Sequence, residues 1–364
     1  MPSLQAGRFR GGGEDRVSLY AADILLYLSD ALNTGPRILK IQDTFGAASG
    51  LRVNKMKSVL VPLRGDRDDE SWAEGFSIRR LSFKYLGMVI STEPGLAWSQ
   101  NISPLLRHTR RSLRAWEGLP LNTMGKVAIV KMMLLPKYLY TIQNYPSSLP
   151  ADWFRTTNAL LQSFIWGNKP SQISFAKCCQ STFDGGLAMI DLQLYYWASQ
   201  LVVINDWMCG GWSDPSYGRE LQPLGLEGIL GMMYGSPIPS NTLEGTRAVV
   251  LAWRGALRRM GWDQKLTTMT PLWVGTWLKQ TAGLKGFGSW DKIGISLLGD
   301  ILGNDQIMAF SELREEFGLH HTQLYRYLQL RHALTQYKQR LVDLPEYNPL
   351  EAKLLNGAMG KGGI

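Results

Sequence analysis

The sequence predicts an α+β protein in which short hairpins and one helix precede a mostly helical body. Three observations lead to this fold class. Runs of β-branched and aliphatic residues occur before Pro94, helical periodicity dominates after it, and 45% of the 364 residues are hydrophobic. That hydrophobic content can fill the cores of two or three domains, which excludes a wholly disordered chain.

Two hairpins are predicted in the region before Pro94. In the first, Val17–Tyr20 and Ile24–Leu28 flank the short tip Ala21-Ala22-Asp23. The second covers Leu81–Ile90, with Gly87 at its bend. The elements predicted between the hairpins are one amphipathic helix and two short strand pieces: Asp30–Ala48, Leu51–Asn54 and Ser58–Leu63.

The region after Pro94 is predicted to be helical, with Gly- and Pro-containing loops between the helices. These helices are Trp98–Trp116, Asn122–Tyr145, Asp152–Trp166 and Leu192–Met208. The next stretch, Gly210–Asn241, is rich in Gly, Pro and Ser, which is typical of a linker or an irregular connection. Short helices are predicted from Thr242 onward, before the Gly-rich tail Gly357–Ile364.

The positive charge is concentrated in one segment. The net charge is +9, and residues 101–140 contain seven basic residues and a single acidic one, Glu117. Four arginines recur there at steps of three and four residues, which places them on one face of a helix: Arg107, Arg110, Arg111 and Arg114. Two interpretations remain open, an ordinary solvated helix face or a surface that contacts the phosphates of a nucleic acid.

The cysteine count and the hydropathy pattern limit the cellular setting. Three cysteines, of which Cys178 and Cys179 are adjacent, do not form a disulfide framework and favour a reducing compartment. The first residues are polar, and no apolar run approaches the ~20 residues of a membrane helix. The sequence therefore predicts an intracellular protein, nuclear or cytoplasmic, which is not secreted and has no membrane partner.

A set of ordered motifs resembles the reverse transcriptases of LINE-type (non-LTR) retrotransposons. Tyr20-Ala21-Ala22-Asp23 resembles their Tyr-Ala-Asp-Asp hairpin. The segment Ser49–Asn54 resembles the next palm motif, and Phe83–Gly87 resembles the primer-grip hairpin. Motifs similar to the family's thumb follow in the same order: Trp116–Pro120, Met124–Ala128, Leu135–Tyr140, Phe164–Trp166 and Gly185–Leu187.

This resemblance implies a division of the chain into three parts and an enzymatic activity of the family. Residues 1–96 would be a partial palm, 97–209 a helical thumb, and 210–364 a helical C-terminal region that ends in the Gly-rich tail. The family activity is RNA-directed DNA polymerisation with Mg²⁺. The chain is therefore interpreted as a C-terminal fragment of such an enzyme, starting just before the Tyr-Ala-Asp-Asp motif.

The catalytic metal site of the family is incomplete in this sequence. Two Mg²⁺ ions need a cluster of carboxylate oxygens, supplied by two adjacent acids at the hairpin tip and a third from another strand. Here Ala22 occupies the first position of the pair, so Asp23 is the remaining catalytic and metal-binding candidate. The third acid and the fingers would lie upstream of the hairpin. We therefore expect that this chain alone does not polymerise DNA and holds no Mg²⁺ stably.

Nucleic-acid binding is the family property that we still expect of this chain, although its catalytic metal site is incomplete. The expected partner is an RNA–DNA or DNA duplex, contacted by the basic residues of the thumb: Arg107, Arg110, Arg111, Arg114, Lys126 and Lys131. Lys84 and Tyr85 are predicted to contact the primer end, although Tyr85 could instead pack in the hairpin core. Two alternatives stay open, a domesticated non-catalytic nucleic-acid-binding module and a helical protein-interaction scaffold. Salt-dependent binding to an RNA–DNA hybrid distinguishes binding modules from the scaffold.

Overall fold

The computed structural model describes residues 17–62 except 22 and 29, 73–167 except 92, 169–208, 229–263 except 230 and 236, 265–273, 287–335 except 304 and 305, and 344–352. This part of the chain is mostly helical and carries a few short sheets, in agreement with the predicted α+β class. Two compact units make up the chain, one of residues 1–145 and 159–189 and the other of residues 146–158 and 190–364. The three-part division into palm, thumb and C-terminal region stays a prediction.

The strands of the described residues form two-stranded sheets. They are β1 Val17–Tyr20, β2 Asp23–Leu26, β3 Val59–Leu60, β4 Ser77–Ile78, β5 Ser82–Tyr85, β6 Met88–Ser91, β7 Leu302–Gly303 and β8 Gln306–Ile307. β1 and β2, β5 and β6, and β7 and β8 pair antiparallel, whereas β3 and β4 pair parallel. Both predicted hairpins are confirmed. The strand predicted at Leu51–Asn54 is wrong, because that exposed segment pairs with no strand in the described part of the chain.

The helices are α1 Ala31–Ser49, α2 Pro94–Ala97, α3 Ser103–Trp116, α4 Thr123–Met133, α5 Leu135–Asn144, α6 Ala151–Trp166, α7 Phe175–Cys179, α8 Leu192–Met208, α9 Glu244–Met260, α10 Gly288–Asp291, α11 Phe310–Phe317 and α12 Leu324–Thr335. None of the described helices is long and apolar enough to span a membrane. The prediction of short helices after Thr242 is wrong for α9, which has 17 residues. Most of Gly210–Asn241 and all of Gly357–Ile364 lie outside the described residues.

Prolines explain two departures from the predicted helices. The single helix expected at Asn122–Tyr145 is divided at Leu134 into α4 and α5, because Pro136 has no N–H to continue the helical bonding. Pro104, near the start of α3, also has no N–H, but there the chain stays helical and changes its winding. The five residues before α3, Trp98–Ile102, wind as a π-helix, in which the Ser103 N–H bonds the carbonyl oxygen of Trp98.

The first unit buries the apolar faces of its helices around α3, α4 and α5. Buried side chains from these helices, from α6 and from Leu134 between α4 and α5 include Leu105, Leu113, Val127, Val130, Tyr138, Ile142, Leu161 and Phe164. Side-chain caps fix where helices begin, since Asn122 accepts a hydrogen bond of 2.8 Å from the Gly125 N–H at the start of α4. By contrast, α1 buries only Thr34, Gly35 and Ile38 among its 19 residues.

The second unit contains two hydrophobic clusters. In one, α8 packs along α9 around the fully buried Trp253. The helices come close at Gly255, where an added Cβ would lie 2.9 Å from the Trp197 indole. The other cluster surrounds the fully buried Trp290 and includes Leu313 and Leu330 from α11 and α12.

Candidate nucleic-acid interface

Helix α3 has an arginine face and a buried face on opposite sides. At ~100° per residue, Arg107, Arg110, Arg111 and Arg114 fall within an arc of about 100°, and all four side chains are exposed. The residues that α3 buries are Leu105, Thr109 and Leu113, which follow the helix on its other side. Packing of the apolar face therefore directs all four guanidinium groups toward solvent.

These arginines have no acidic partners within the part of the chain that the structure describes. None of the four guanidinium groups there lies within ion-pair distance of a carboxylate. Like charges three or four residues apart on a helix destabilise it by about 0.2–0.5 kcal/mol per pair. The face is thus a concentrated positive surface whose repulsion a bound anion would relieve.

Helix α5 is joined to α3 by a buried hydrogen bond. The hydroxyl groups of Thr109 and Tyr138 lie 2.5 Å apart, and both side chains are at most 1% exposed. A buried polar pair of this kind is costly to separate, because each hydroxyl would lose its partner away from water. The contact fixes the position of α5 along α3.

One residue earlier in each helix, a second contact forms at the surface. The Lys137 Nζ of α5 lies 2.7 Å from the His108 Nε2 of α3, so the ammonium donates to the imidazole. Partial burial, followed by the charges of Lys137 and Arg111, lowers the pKa of His108 from its ordinary value. This favours the neutral form of His108, which lies among cationic groups.

The lysines of α4 differ in their surroundings. The Lys126 ammonium donates a hydrogen bond of 3.1 Å to the carbonyl oxygen of Phe164 and lies 5.2 Å from the centre of its ring. It is thereby engaged in holding α6 against α4. Lys131, in the last turn of α4, is half-buried.

The hairpin β5–β6 presents Lys84 and Tyr85 at the end of β5. Lys84 is exposed and lies opposite Val89, whereas Tyr85 is half-buried and lies opposite Met88. The turn between the strands is formed by Leu86 and Gly87, both with positive φ (45° and 85°), which matches the tight turn that such hairpins favour.

Two residues of the helical region hold this hairpin. The Asn101 side chain accepts a 2.9 Å bond from the Val89 N–H and donates a 2.8 Å bond to the Val89 carbonyl, so it occupies the outer edge of β6. Gly87 at the turn lies beside the Tyr140 ring of α5, with 3.3 Å between a Cβ built there and the phenol oxygen. Lys84 and Tyr85 are therefore carried on a fixed hairpin.

Asp23 lies at the start of β2, opposite Tyr20, and its side chain is exposed. Ala22 lies outside the described residues. Among the residues that the structure describes, no group of three or more His, Cys, Asp or Glu side chains could hold a metal ion. A single carboxylate at Asp23 does not fit the donor set that a two-metal site needs.

Sequence reasoning found the arginine face but missed its connection to α5. His108 lies between Arg107 and Arg110 in the sequence, and the pairing of His108 with Lys137 joins positions 29 residues apart. Nothing in the spacing predicts this contact, because it depends on how the two helices pack. The Asn101 contact with β6 was missed for the same reason.

No protein-family model matches the chain. The chain is similar to the retrovirus-related Pol polyprotein from type-1 retrotransposable element R2 of Popillia japonica, with 27% identity. The match covers 52% of this chain and 28% of the polyprotein, so it spans less than a third of the relative's length. This similarity supports the retrotransposon relationship that the motifs predict.

Proposed function

We propose that the chain is part of a retrotransposon reverse transcriptase and binds a template–primer duplex through the arginine face of α3. In this proposal, residues 97–209 are the thumb and residues 1–96 the end of the palm. The similarity to the R2 polyprotein supports the relationship. The observation that carries the binding function is the arginine face, with four exposed guanidinium groups on one side of a well-packed helix.

The proposed binding is electrostatic and follows the duplex backbone. Guanidinium groups bind phosphate oxygens through paired N–H donors, and each contact releases condensed counterions from the nucleic acid. Because α3 is held by its buried face and by the Thr109–Tyr138 bond, the helix that carries the arginines is positioned before the duplex arrives. Lys84 and Tyr85, on the β5–β6 hairpin that precedes α3 in the chain, are proposed to contact the primer end.

We also propose that this chain binds the duplex without extending it. Ala22 offers no metal ligand, and Asp23 is one exposed carboxylate. Loss of a ligand from a two-metal site removes charge stabilisation worth several kcal/mol.

Binding is tested by fluorescence anisotropy with a labelled RNA–DNA hybrid over a range of salt concentrations. Four phosphate contacts predict that affinity falls about a hundredfold between about 50 mM and about 200 mM salt. Replacement of Arg107, Arg110, Arg111 and Arg114 by Gln should flatten the salt dependence, by about one unit of slope for each arginine that contacts a phosphate.

The matched control removes the same charge elsewhere in the chain. It replaces four exposed basic residues of the second unit by Gln: Arg258, Arg259, Lys292 and Arg331. If binding depends on the α3 face, this control keeps the salt slope of the unmodified chain. Affinity that does not change with salt, or equal losses in the two variants, would rule out the proposed interface.

A further inference from the structure

We propose that His108, Lys137 and Arg111 form one phosphate-binding subsite between α3 and α5, in which His108 takes up a proton when a phosphodiester binds. The inference rests on the proposed function and adds a specific contact to it. Its ligand class is a backbone phosphate of the duplex. Lys137 and Arg111 would supply fixed positive charge, and His108 would supply a charge that appears on binding.

The geometry brings three nitrogen-bearing side chains to one place. Lys137 and His108 are in contact across the two helices, at 2.7 Å between Nζ and Nε2. Arg111 lies three residues after His108, within one turn of α3, and its charge acts on the imidazole. The neighbouring buried pair, Thr109 and Tyr138, holds the helices in this register. The cationic groups are therefore positioned by packing and not by an anionic side chain.

The groups that face the imidazole are cationic or neutral. Lys137 faces it from α5, Arg111 from α3, and the Ser112 hydroxyl lies 3.4 Å from its Nε2. No carboxylate acts on it within the described part of the chain. Burial and the two cations lower the pKa of His108, and the negative charge of a phosphate would act in the opposite direction.

The proposed step moves one proton from solvent to the protein. In the free chain the Nε2 lone pair accepts the N–H of Lys137. When a phosphate binds, the ammonium turns to a phosphate oxygen, and Nε2 becomes free to accept a proton from water. The imidazolium then donates its Nε2–H to the same phosphate group. The Nε2 atom thus changes from a hydrogen-bond acceptor to a donor.

The test measures hybrid binding by the full chain as a function of pH at constant ionic strength. Uptake of one proton makes the affinity rise as pH falls, by at most about tenfold per pH unit. The variant His108→Gln keeps an acceptor for Lys137 but cannot take up a proton, so it should lose this pH dependence. The control His332→Gln changes an exposed histidine of α12 and should keep it.

A second measurement follows the protonation of His108 directly and does not need the variant. NMR titration of the His108 ring should give a higher pKa with the hybrid bound than in the free chain. Salt-dependent binding with the same pH profile in His108→Gln, or a pKa that does not rise, overturns the subsite and leaves the proposed function standing. A chain that shows no salt-dependent binding at all overturns the proposed function as well.

Discussion

At the scale of single residues, a few buried polar side chains determine how the elements meet. Asn101 completes the outer edge of β6 by bonding both backbone groups of Val89. Thr109 and Tyr138 join α3 and α5 through one buried hydrogen bond. Such groups are stable in a core only when they are paired, so each of them specifies one arrangement of its neighbours.

Glu351 is a buried acid in the second unit and makes the stability of that unit depend on pH. It is 4% exposed, and its carboxylate accepts a 2.7 Å bond from the Asn348 N–H. Burial raises the pKa of Glu351 to about 7 from 4.5. Since the folded pKa is the higher one, the stabilisation is fully present below pH 4.5 and is lost as pH rises through about 7.

We therefore expect Glu351→Gln to make unfolding less dependent on pH. The amide is neutral at every pH and still offers an oxygen to the Asn348 N–H. Urea unfolding at about pH 5 and about pH 8 should show a difference for the unmodified chain of up to about 3 kcal/mol from this residue, and the variant should lack it. The exposed Glu315 provides the control Glu315→Gln. An unchanged pH dependence in Glu351→Gln would contradict this account.

At the scale of elements, the first unit combines well-packed and poorly packed parts. In α1, Ile41 and Phe45 are each 60% exposed, and in β1 Leu19 is 69% exposed. In α5, by contrast, Tyr138 and Ile142 are each 1% exposed. The sheet β1–β2 has two strands, and a two-stranded sheet is marginally stable by itself.

This contrast predicts a difference in hydrogen exchange. Backbone amides of β1, β2 and α1 should exchange faster than those of α3, α4 and α5, because fewer buried apolar contacts must break to open them. Peptide-level exchange measured by mass spectrometry on the full chain compares the two groups directly. Equal protection in both would show that the exposed apolar residues do not weaken the N-terminal elements.

At the scale of the whole molecule, the basic segment and the proposed catalytic remnant lie in different parts of the chain. The net charge of +9 arises mainly between residues 101 and 140, on helices that pack well. The hairpin that we propose to be a catalytic remnant lies elsewhere, at Ala22 and Asp23. The proposed duplex binding depends on the basic segment, so it does not require the metal ligands that the proposed catalytic remnant lacks.

Primer extension tests the catalytic part of the proposal. On a primed RNA template with dNTPs and Mg²⁺ or Mn²⁺, the purified chain should extend no more primer than the Asp23→Ala variant. Ala22→Asp restores one carboxylate of the pair and should not restore extension, because a two-metal site needs a further carboxylate from another strand. Extension by the unmodified chain above the Asp23→Ala level would refute the prediction of inactivity.

The sequence by itself determined the fold class, both N-terminal hairpins, most helices and the arginine face of α3. These features follow from local patterns, since strand alternation, helical period and charge spacing are set by residues close together in the chain. Tertiary structure alone decided that Lys126 bonds Phe164, that Asn101 completes β6 and that Lys137 meets His108. These contacts join residues 12 to 38 positions apart, and only the packing of whole elements brings such side chains within hydrogen-bonding distance.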